Sequence, residues 1–393
     1  MVVEVVREIR SRRRQERLNV QPRLDPHHRR GAYPLIRAFM TVFLRDAVTY
    51  IIMGDIFLGE ADAIYATYGG YDEVAHHSGI EDVDVFPVLQ GIDRAFSRLE
   101  RAASEAQRPY KFVVLADHGQ SQGNTFKQRY NQTLQQFVAS FLPKELKIHA
   151  DLATDEGWDQ VSTALTDASQ NDPRFVGRTV KSVTKRYQYG DQVVVGPEYA
   201  KKKMMQKSQA ITPEEAEAIV LASGNLGLIS FTPWSERLTL EKLNETYPEL
   251  IPGLINHEGI GFIMVNSSAD GPVVLGKNGK YFLNDDRVEG ENPLANFGPR
   301  AAQHLRRTHG FKHCPDILVN SFWDVEKREG AAFEELVGFH GGMGGDQSQP
   351  FLLFPSEWNL DQHEIIGAEN VYKALKGTLN RLSSGEAARV AAS

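Results

Sequence analysis

The chain has 393 residues, a net charge of -7 at pH 7, 41% hydrophobic residues and 24% charged residues. This length and balance are typical of a large folded α/β domain with an inserted subdomain and exclude a disordered chain. The sequence contains a single cysteine, Cys314, which excludes an intrachain disulfide framework. Residues 1–50 hold 11 lysine and arginine residues against 5 acidic ones. The remainder is therefore acidic, which disfavours nucleic-acid binding.

Residues 1–60 are predicted to form a basic N-terminal helical segment. Its arginine cluster, between Arg10 and Arg17, fits a solvated helix face, with peripheral contact to anionic lipid as the alternative. The apolar run 35–58 is interrupted by Arg45 and Asp46. Because a charge near the centre of a span costs about 2.5–3.5 kcal/mol, we predict a buried or interfacial helix that does not cross a bilayer. We find no signal-peptide pattern and expect a cytoplasmic or membrane-associated location.

A strand-like apolar run at 112–116 leads directly into Asp117, His118 and Gly119. In open α/β sheets, ligands lie just beyond the carboxyl ends of parallel strands. Asp117 and His118 are therefore candidate metal ligands, and Gly119 allows the backbone to approach a site closely. The alternative is that Asp117 only caps a turn.

Two other segments carry further candidate ligands. Asp72 and His76 are four residues apart, so on a helix they share a face and could hold one ion, whereas His77 lies on another face and could at most support them. His340 heads a glycine cluster that begins at Gly341. The alternatives are a capped helix and a flexible surface loop. Aspartate and histidine without cysteine suit a catalytic Zn²⁺, with Mn²⁺ or Fe as alternatives.

The element pattern predicts an α/β fold. An amphipathic helix at 87–103 between strands at 64–68 and 112–116 would form a β-α-β unit in a mostly parallel central sheet flanked by helices. A further helix is predicted at 213–222 and a strand at 226–231. The predicted organisation comprises the following parts: an α/β metal-binding core at 61–149 and 301–382, a mixed region with an inserted α+β subdomain at 150–300, and a frayed tail at 383–393.

The three motifs, in this order along the chain, resemble the alkaline phosphatase superfamily. They are YDEVAHHSG at 71–79, the Asp-His-Gly that follows the apolar run, and VGFHGGMGG at 337–345. The nearest branch looks like the type I phosphodiesterase and nucleotide pyrophosphatase group, with a resemblance that extends roughly from Ala61 to Pro355. The sequences of the first and third motifs also resemble those of bacterial phosphodiesterase domains that follow a holin-like membrane region.

The resemblance implies two divalent metal ions and a phosphate ester substrate. Asp72, His76 and His340 match the motif of one metal site, and Asp117 and His118 match half of the other. The superfamily also has an N-terminal strand ending in Asp-Gly and a threonine or serine that attacks phosphorus. Between Met1 and Tyr71 we recognise neither, since Thr41 and Thr49 lie within the apolar helical run.

We therefore expect the chain to be the C-terminal part of a longer protein, with the nucleophile upstream of Met1, and to hydrolyse phosphate esters poorly or not at all. Two hypotheses follow. The first is a two-metal hydrolase of phosphodiesters or phosphomonoesters, present as a partial domain. The second is a non-catalytic, metal-stabilised binding module at a membrane surface. Substrate identity and oligomeric state do not follow from the sequence.

Overall fold

A computed structural model describes residues 1–152, 166, 188–189, 192–193, 211–360 and 364–383. The described residues form a mixed α/β structure with several sheets. The chain divides into two compact units. The larger comprises Met1–Arg108 and His118–Gln349, and the smaller comprises Pro109–Asp117 and Pro350–Ser393. Much of the predicted inserted subdomain, and the predicted frayed tail beyond Ser383, lie outside the described residues.

The described α-helices are numbered in chain order. They are α1 (Val2–Leu18), α2 (Tyr33–Ala38), α3 (Arg45–Leu58), α4 (Gly70–Ser78), α5 (Phe86–Ser104), α6 (Phe126–Tyr130), α7 (Leu134–Ala139), α8 (Leu240–Thr246), α9 (Leu250–Asn256), α10 (Ala301–His309) and α11 (Ala368–Ser383). A π-helical turn at Phe39–Leu44 joins α2 to α3, so the predicted helix at 35–58 is confirmed. Within the described ranges, no helix combines the length and apolar character that a bilayer crossing requires.

The described strands follow the same numbering. They are β1 (Val114–Leu115), β2 (Ser121–Gln122), β3 (Ile148–Asp151), β4 (Gln188–Tyr189), β5 (Gln192–Val193), β6 (Ala218–Ser223), β7 (Leu226–Phe231), β8 (Ile260–Ser267), β9 (Gly271–Gly276), β10 (Gly279–Phe282), β11 (Val288–Gly290), β12 (Ile317–Ser321), β13 (Trp323–Asp324), β14 (Glu329–Gly330), β15 (Gly338–Phe339) and β16 (Leu352–Leu353). The predicted helix at 213–222 is wrong, because Ala218–Ser223 pairs with β7 as a strand.

The largest sheet contains eight strands in the order β11-β10-β9-β8-β12-β7-β6-β3. Of its pairings only β3 with β6 is parallel, and all the others are antiparallel. The prediction of a mostly parallel sheet is therefore wrong for the described strands. The connections explain the error, since β6–β7, β8–β9 and β9–β10 are joined by turns of two or three residues, which impose antiparallel pairing.

Both faces of this sheet are covered, which explains the continuous apolar runs in its strands. Ile263 and Val265 of β8 join the core cluster that includes residues of α7, α8 and α9. Phe262 and Met264 of the same strand join the opposite cluster, where Leu305 of α10 packs. The apolar runs of these strands reflect burial on two faces, whereas strand direction depends on the connections.

Helix α1 buries charged and polar side chains rather than apolar ones. Glu8 of α1 is fully buried and accepts two hydrogen bonds from Arg29, at 2.8 and 2.9 Å, and one from Arg37 at 2.6 Å. Val2 and Val3, by contrast, are more than 70% exposed. The helix is therefore inverted relative to an ordinary amphipathic helix, and its burial is stabilised by ion pairs.

The predicted β-α-β unit is formed only in part. The helix is present as α5, with Pro87 in its first turn and Val88 and Leu99 buried. The segment 64–68 is not a strand, and Tyr65 is 80% exposed. In the smaller unit, the run 112–116 contributes the two-residue strand β1, which pairs antiparallel with β16.

Candidate metal centre

Helix α4 carries the first two candidate ligands on a well-packed element. Its residues Val74 and Ala75 are fully buried and pack with Val85 and Val88. The helix ends at Gly79, whose φ of 92° suits a glycine. The opposite side of the helix presents Asp72 and His76, four residues apart, as the sequence spacing predicts.

Strand β15 lies directly against α4 and brings the third candidate ligand to it. The Val337 amide donates to the His76 carbonyl at 2.9 Å. The His76 Nδ1 lies 2.6 Å from the Gly338 carbonyl oxygen. Because a carbonyl only accepts, Nδ1 carries the proton, and Nε2 is the ring nitrogen that faces Asp72. Two residues beyond Gly338, the chain reaches His340.

Asp72, His76 and His340 form a group of three whose ligand atoms all lie within 4.8 Å of one another. The Asp72 Oδ2 is 3.2 Å from the His76 Nε2, and the Asp72 Oδ1 is 3.8 Å from the His340 Nε2. The His76 side chain is 2% exposed, whereas those of His340 and Asp72 are 18% and 26% exposed. The cluster is thus buried on one side and accessible on the other.

The electrostatic environment favours an ionised Asp72. Burial raises the pKa of Asp72, but the hydrogen bond with His76 and the nearby rings of His340 and His118 outweigh it, so the pKa is lowered overall. The Gln120 side-chain amide also donates to Asp72 Oδ1. Gln120 was not predicted as a site residue, although it lies two residues after His118 in the motif.

His118 joins the group through its ring. It stacks on the His340 ring with centroids 3.6 Å apart, while its Nδ1 contacts the Gly119 carbonyl at 3.0 Å. Gly119 is needed for close packing, since a Cβ there would collide with the Asp346 carbonyl. Asp117 is exposed and belongs to the smaller unit. The second metal site therefore stays a prediction.

His340 is placed by tight backbone contacts on the β6–β7 turn. Gly224 in that turn has a φ of 55°, and a Cβ on it would collide with the His340 carbonyl oxygen. Gly341 has a φ of 109°, and a Cβ on it would lie 2.5 Å from the Ser223 carbonyl oxygen. Larger residues at either position would displace His340, and the role of Gly341 beside a metal ligand stays a prediction.

His77 points away from the cluster, as its position in the sequence predicts. Its ring packs on Tyr33 of α2 with centroids 4.1 Å apart, and its Nδ1 contacts the Glu73 carbonyl at 3.0 Å. Burial lowers the pKa of His77 to about 3, so the ring is neutral at pH 7. The residue therefore links α4 to the N-terminal helices and contributes no atom to the group of three.

The comparisons with known proteins confirm the family that the motifs resemble. The family model described as Type I phosphodiesterase / nucleotide pyrophosphatase matches residues 7–226, more than half of the chain. The match includes Asp72, His76, Asp117 and His118 and ends before His340. It begins well before Ala61, so the N-terminal helices belong to the matched region. No curated protein and no solved structure matches the chain. The chain belongs to the type I phosphodiesterase / nucleotide pyrophosphatase family.

Proposed function

We propose that this protein hydrolyses phosphoric esters at a site where Asp72, His76 and His340 hold one divalent metal ion. The observation that carries the proposal is the convergence of the three side chains, two from α4 and one more than 260 residues later, within 4.8 Å. Family membership supports phosphoric ester hydrolysis as the reaction class. Whether the substrate is a diester or a monoester is left to the experiment.

The donor set fits a metal ion. One carboxylate and two imidazoles form the three-ligand set that catalytic zinc sites use, which leaves a position for substrate. The Gly338 carbonyl holds the His76 ring by its Nδ1–H, the kind of outer contact that orients metal-binding histidines. Zn²⁺ is the preferred ion, with Mn²⁺ or Fe as alternatives. A second ion at Asp117 and His118 is part of the proposal.

The residues of the chain prepare this site in three ways. The lowered pKa keeps Asp72 ionised, so that both carboxylate oxygens can accept or coordinate. Gln120 restrains the orientation of that carboxylate. The His118 ring stacks on the His340 ring and restrains its orientation. A bound divalent ion supplies positive charge that lowers the cost of negative charge on phosphoryl oxygens.

Metal content tests the proposal directly. Elemental analysis should find about one tightly held Zn²⁺ or Mn²⁺ per chain, as expected for a three-ligand site. His76→Ala and His340→Ala should each lose most of it. His77→Ala is the matched control, because it removes an adjacent histidine on the other face of α4. Equal losses in all three variants, or a parent protein without metal, would refute the site.

Hydrolysis is measured next, with bis-p-nitrophenyl phosphate and p-nitrophenyl phosphate. We expect slow turnover that requires the metal and is lost in His340→Ala. The rate is expected to be low because the hydroxyls of Thr41 and Thr49 already donate to backbone carbonyls of their own helical segment. The Thr41 hydroxyl donates to the Arg37 carbonyl and the Thr49 hydroxyl to the Arg45 carbonyl, both at 2.7 Å. Metal-independent turnover would contradict the proposal.

Those bonded threonines also favour a second candidate, a metal-stabilised module without catalysis. In this alternative the module contacts a membrane surface peripherally through α3, which exposes more than half of Tyr50, Ile51, Phe57 and Leu58. Metal binding without turnover, together with sedimentation on anionic phosphatidylserine vesicles that Ile51→Glu abolishes, would support this candidate. Turnover without vesicle binding would support the first.

A further inference from the structure

The loop after His340 has little means of holding its own shape. Four of the five residues from Gly341 to Gly345 are glycine. Gly341 and Gly344 both have φ values above 100°, in the region that favours glycine. Such a segment loses much conformational entropy when ordered, so a fixed position for His340 needs contacts supplied from elsewhere.

Two buried asparagines supply those contacts. Asn225 is fully buried, and its Oδ1 accepts from the Gly342 amide at 3.2 Å while its Nδ2 donates to the Met343 carbonyl at 2.9 Å. Asn320 is 1% exposed, and its Oδ1 accepts from the Met343 amide at 2.7 Å while its Nδ2 donates to the Met343 carbonyl at 3.0 Å. Two consecutive residues of the loop are thus held from both sides.

The asparagines stand on a rigid base. Asn225 lies in the two-residue turn between β6 and β7, and Asn320 lies near the end of β12, which pairs with β7 in the eight-stranded sheet. The Ser321 amide donates to the Asn225 carbonyl at 3.0 Å, so the two positions are tied through the backbone. The same turn contains Gly224, which touches the His340 carbonyl.

We infer that Asn225 and Asn320 are positioning residues that hold His340 in place for metal binding, an inference that rests on the proposed metal site. Each amide group both donates and accepts, which matches the N–H and C=O groups of the loop; no aliphatic residue of similar size could do so. Loss of either side chain leaves the amide of Gly342 or Met343 without this acceptor. The loop then spends part of its time in arrangements with His340 displaced.

The expected loss of metal affinity follows from the fraction of molecules in which His340 is displaced. If only a fraction of molecules holds His340 correctly, the apparent dissociation constant for metal rises by the inverse of that fraction. Outer contacts of metal ligands commonly change affinity by about 10- to 100-fold. We therefore expect Asn225→Ala and Asn320→Ala to weaken Co²⁺ binding by about tenfold or more.

The test is Co²⁺ titration of the full chain, with visible absorption as the readout, because ligand-field bands report on ligand geometry as well as occupancy. The matched control is Asp316→Ala at the other end of β12. Asp316 is also buried, and accepts from the Phe231 and Leu238 amides at 2.7 and 2.6 Å, far along the strand from Asn320. Asp316→Ala should cost stability but leave the affinity and the bands unchanged.

Conservative variants keep the test decisive if an alanine variant does not fold. Asn320→Gln retains both the donor and the acceptor on a longer side chain, so it should give an intermediate affinity. The inference would be overturned if the asparagine variants bound Co²⁺ with an affinity within about twofold of the parent. It would also be overturned if Asp316→Ala lost as much Co²⁺ affinity as they do, because a general loss of stability would then explain the effect in all three variants.

A metal-free readout separates this inference from the proposed function. The Cε1–H resonance of His340, assigned by its absence in His340→Ala, should be single and sharp in the parent protein. It should shift or broaden in the asparagine variants and stay unchanged in Asp316→Ala. If the parent binds no Co²⁺, the proposed metal site fails, and this resonance decides the positioning role alone. An unchanged resonance in both asparagine variants would overturn it.

Discussion

Two polar clusters in the larger unit differ in the side chains that they contain. The N-terminal cluster joins Glu8 to the guanidinium groups of Arg29 and Arg37, with ion-pair distances of 2.8 and 2.6 Å. The candidate metal cluster joins Asp72 to two imidazoles, and its three members include no arginine or lysine. The first contains its own cations, whereas the second assembles the ligand types that bind a cation from solution.

The difference shows how a structural ion cluster differs from a candidate metal site in this fold. A buried charge is costly unless it is paired and hydrogen-bonded, and the N-terminal cluster meets both conditions within the chain. In the metal cluster the contacts orient the side chains instead. Gly338 fixes His76, Gln120 fixes Asp72, and the β6–β7 turn fixes His340. Contacts that orient the side chains in this way are common around the ligands of metal sites.

The largest change in the free energy of unfolding is expected when the N-terminal cluster is disrupted. Arg29→Ala leaves Glu8 buried without its bidentate partner, so the free energy of unfolding should fall by about 3–5 kcal/mol. Urea denaturation measures it, with exposed Arg13→Ala as the control, expected within about 0.5 kcal/mol of the parent. Arg29→Lys keeps the positive charge but loses the planar guanidinium group. Its free energy of unfolding should therefore lie between those of Arg29→Ala and Arg13→Ala. Equal values for Arg29→Ala and Arg13→Ala would show that the cluster is not a structural one.

Metal should stabilise the other cluster by mass action. With free Zn²⁺ at 100 times its dissociation constant, the free energy of unfolding should rise by about 2.7 kcal/mol. Arg29→Lys should gain the same increment, because its altered cluster holds no metal ligand, whereas His340→Ala should gain none. Urea denaturation with Zn²⁺ and with chelator makes the comparison. A full increment in His340→Ala would place the metal elsewhere.

A smaller effect is expected when only the orientation of Asp72 is disturbed. Gln120→Leu removes the amide that donates to Asp72, and metal affinity should weaken by about tenfold. Isothermal titration calorimetry with Zn²⁺ measures the change. Gln128→Leu is the matched control, because Gln128 is exposed and its side chain caps α6 instead. Unchanged Zn²⁺ affinity in Gln120→Leu would show that the hydrogen bond from Gln120 to Asp72 does not contribute to metal binding.

The smallest effect should appear as a pH dependence at the edge of the N-terminal cluster. Burial raises the pKa of Asp82, but hydrogen bonds from the Asp84 amide, Gln15 and Arg14 outweigh it and lower the pKa below its usual value. A carboxyl with a lowered folded pKa stabilises above its unfolded pKa of about 3.9, and the contribution is lost as the pH falls through the folded value. The stability difference between the parent and Asp82→Asn should therefore be constant near neutral pH and shrink in acid. A difference that grows in acid would contradict this sign.

The parts of the candidate site that lie close together in sequence could be predicted. The four-residue spacing of Asp72 and His76 determined their shared face on α4, and His77 was correctly placed on another face. The bounds of β7 and the helix at 87–103 were also predicted closely, because their apolar patterns are strong. Gln120 could have been found, since it lies in the same motif as His118.

Other parts could not be predicted because their partners are distant in sequence. Nothing around Asn225 or Asn320 distinguishes them from surface amides, and their role appears only where β7 and β12 become neighbours. The relative direction of the strands in the large sheet was predicted wrongly for a related reason. Two-sided burial produces the same apolar runs in parallel and antiparallel strands, and only the short hairpin turns decide between them.

The sequence by itself determined the family, the candidate ligand types and their arrangement within each motif, since these depend on residue identity and local periodicity. The tertiary structure decided which ligands meet, because β15 lies against α4 and carries His340 to Asp72. It also decided that the polar face of α1 is the buried one, since Arg29 and Arg37 come from other segments to neutralise Glu8. Long-range packing settles both outcomes, and local pattern contains no information about which distant groups will compensate a buried charge.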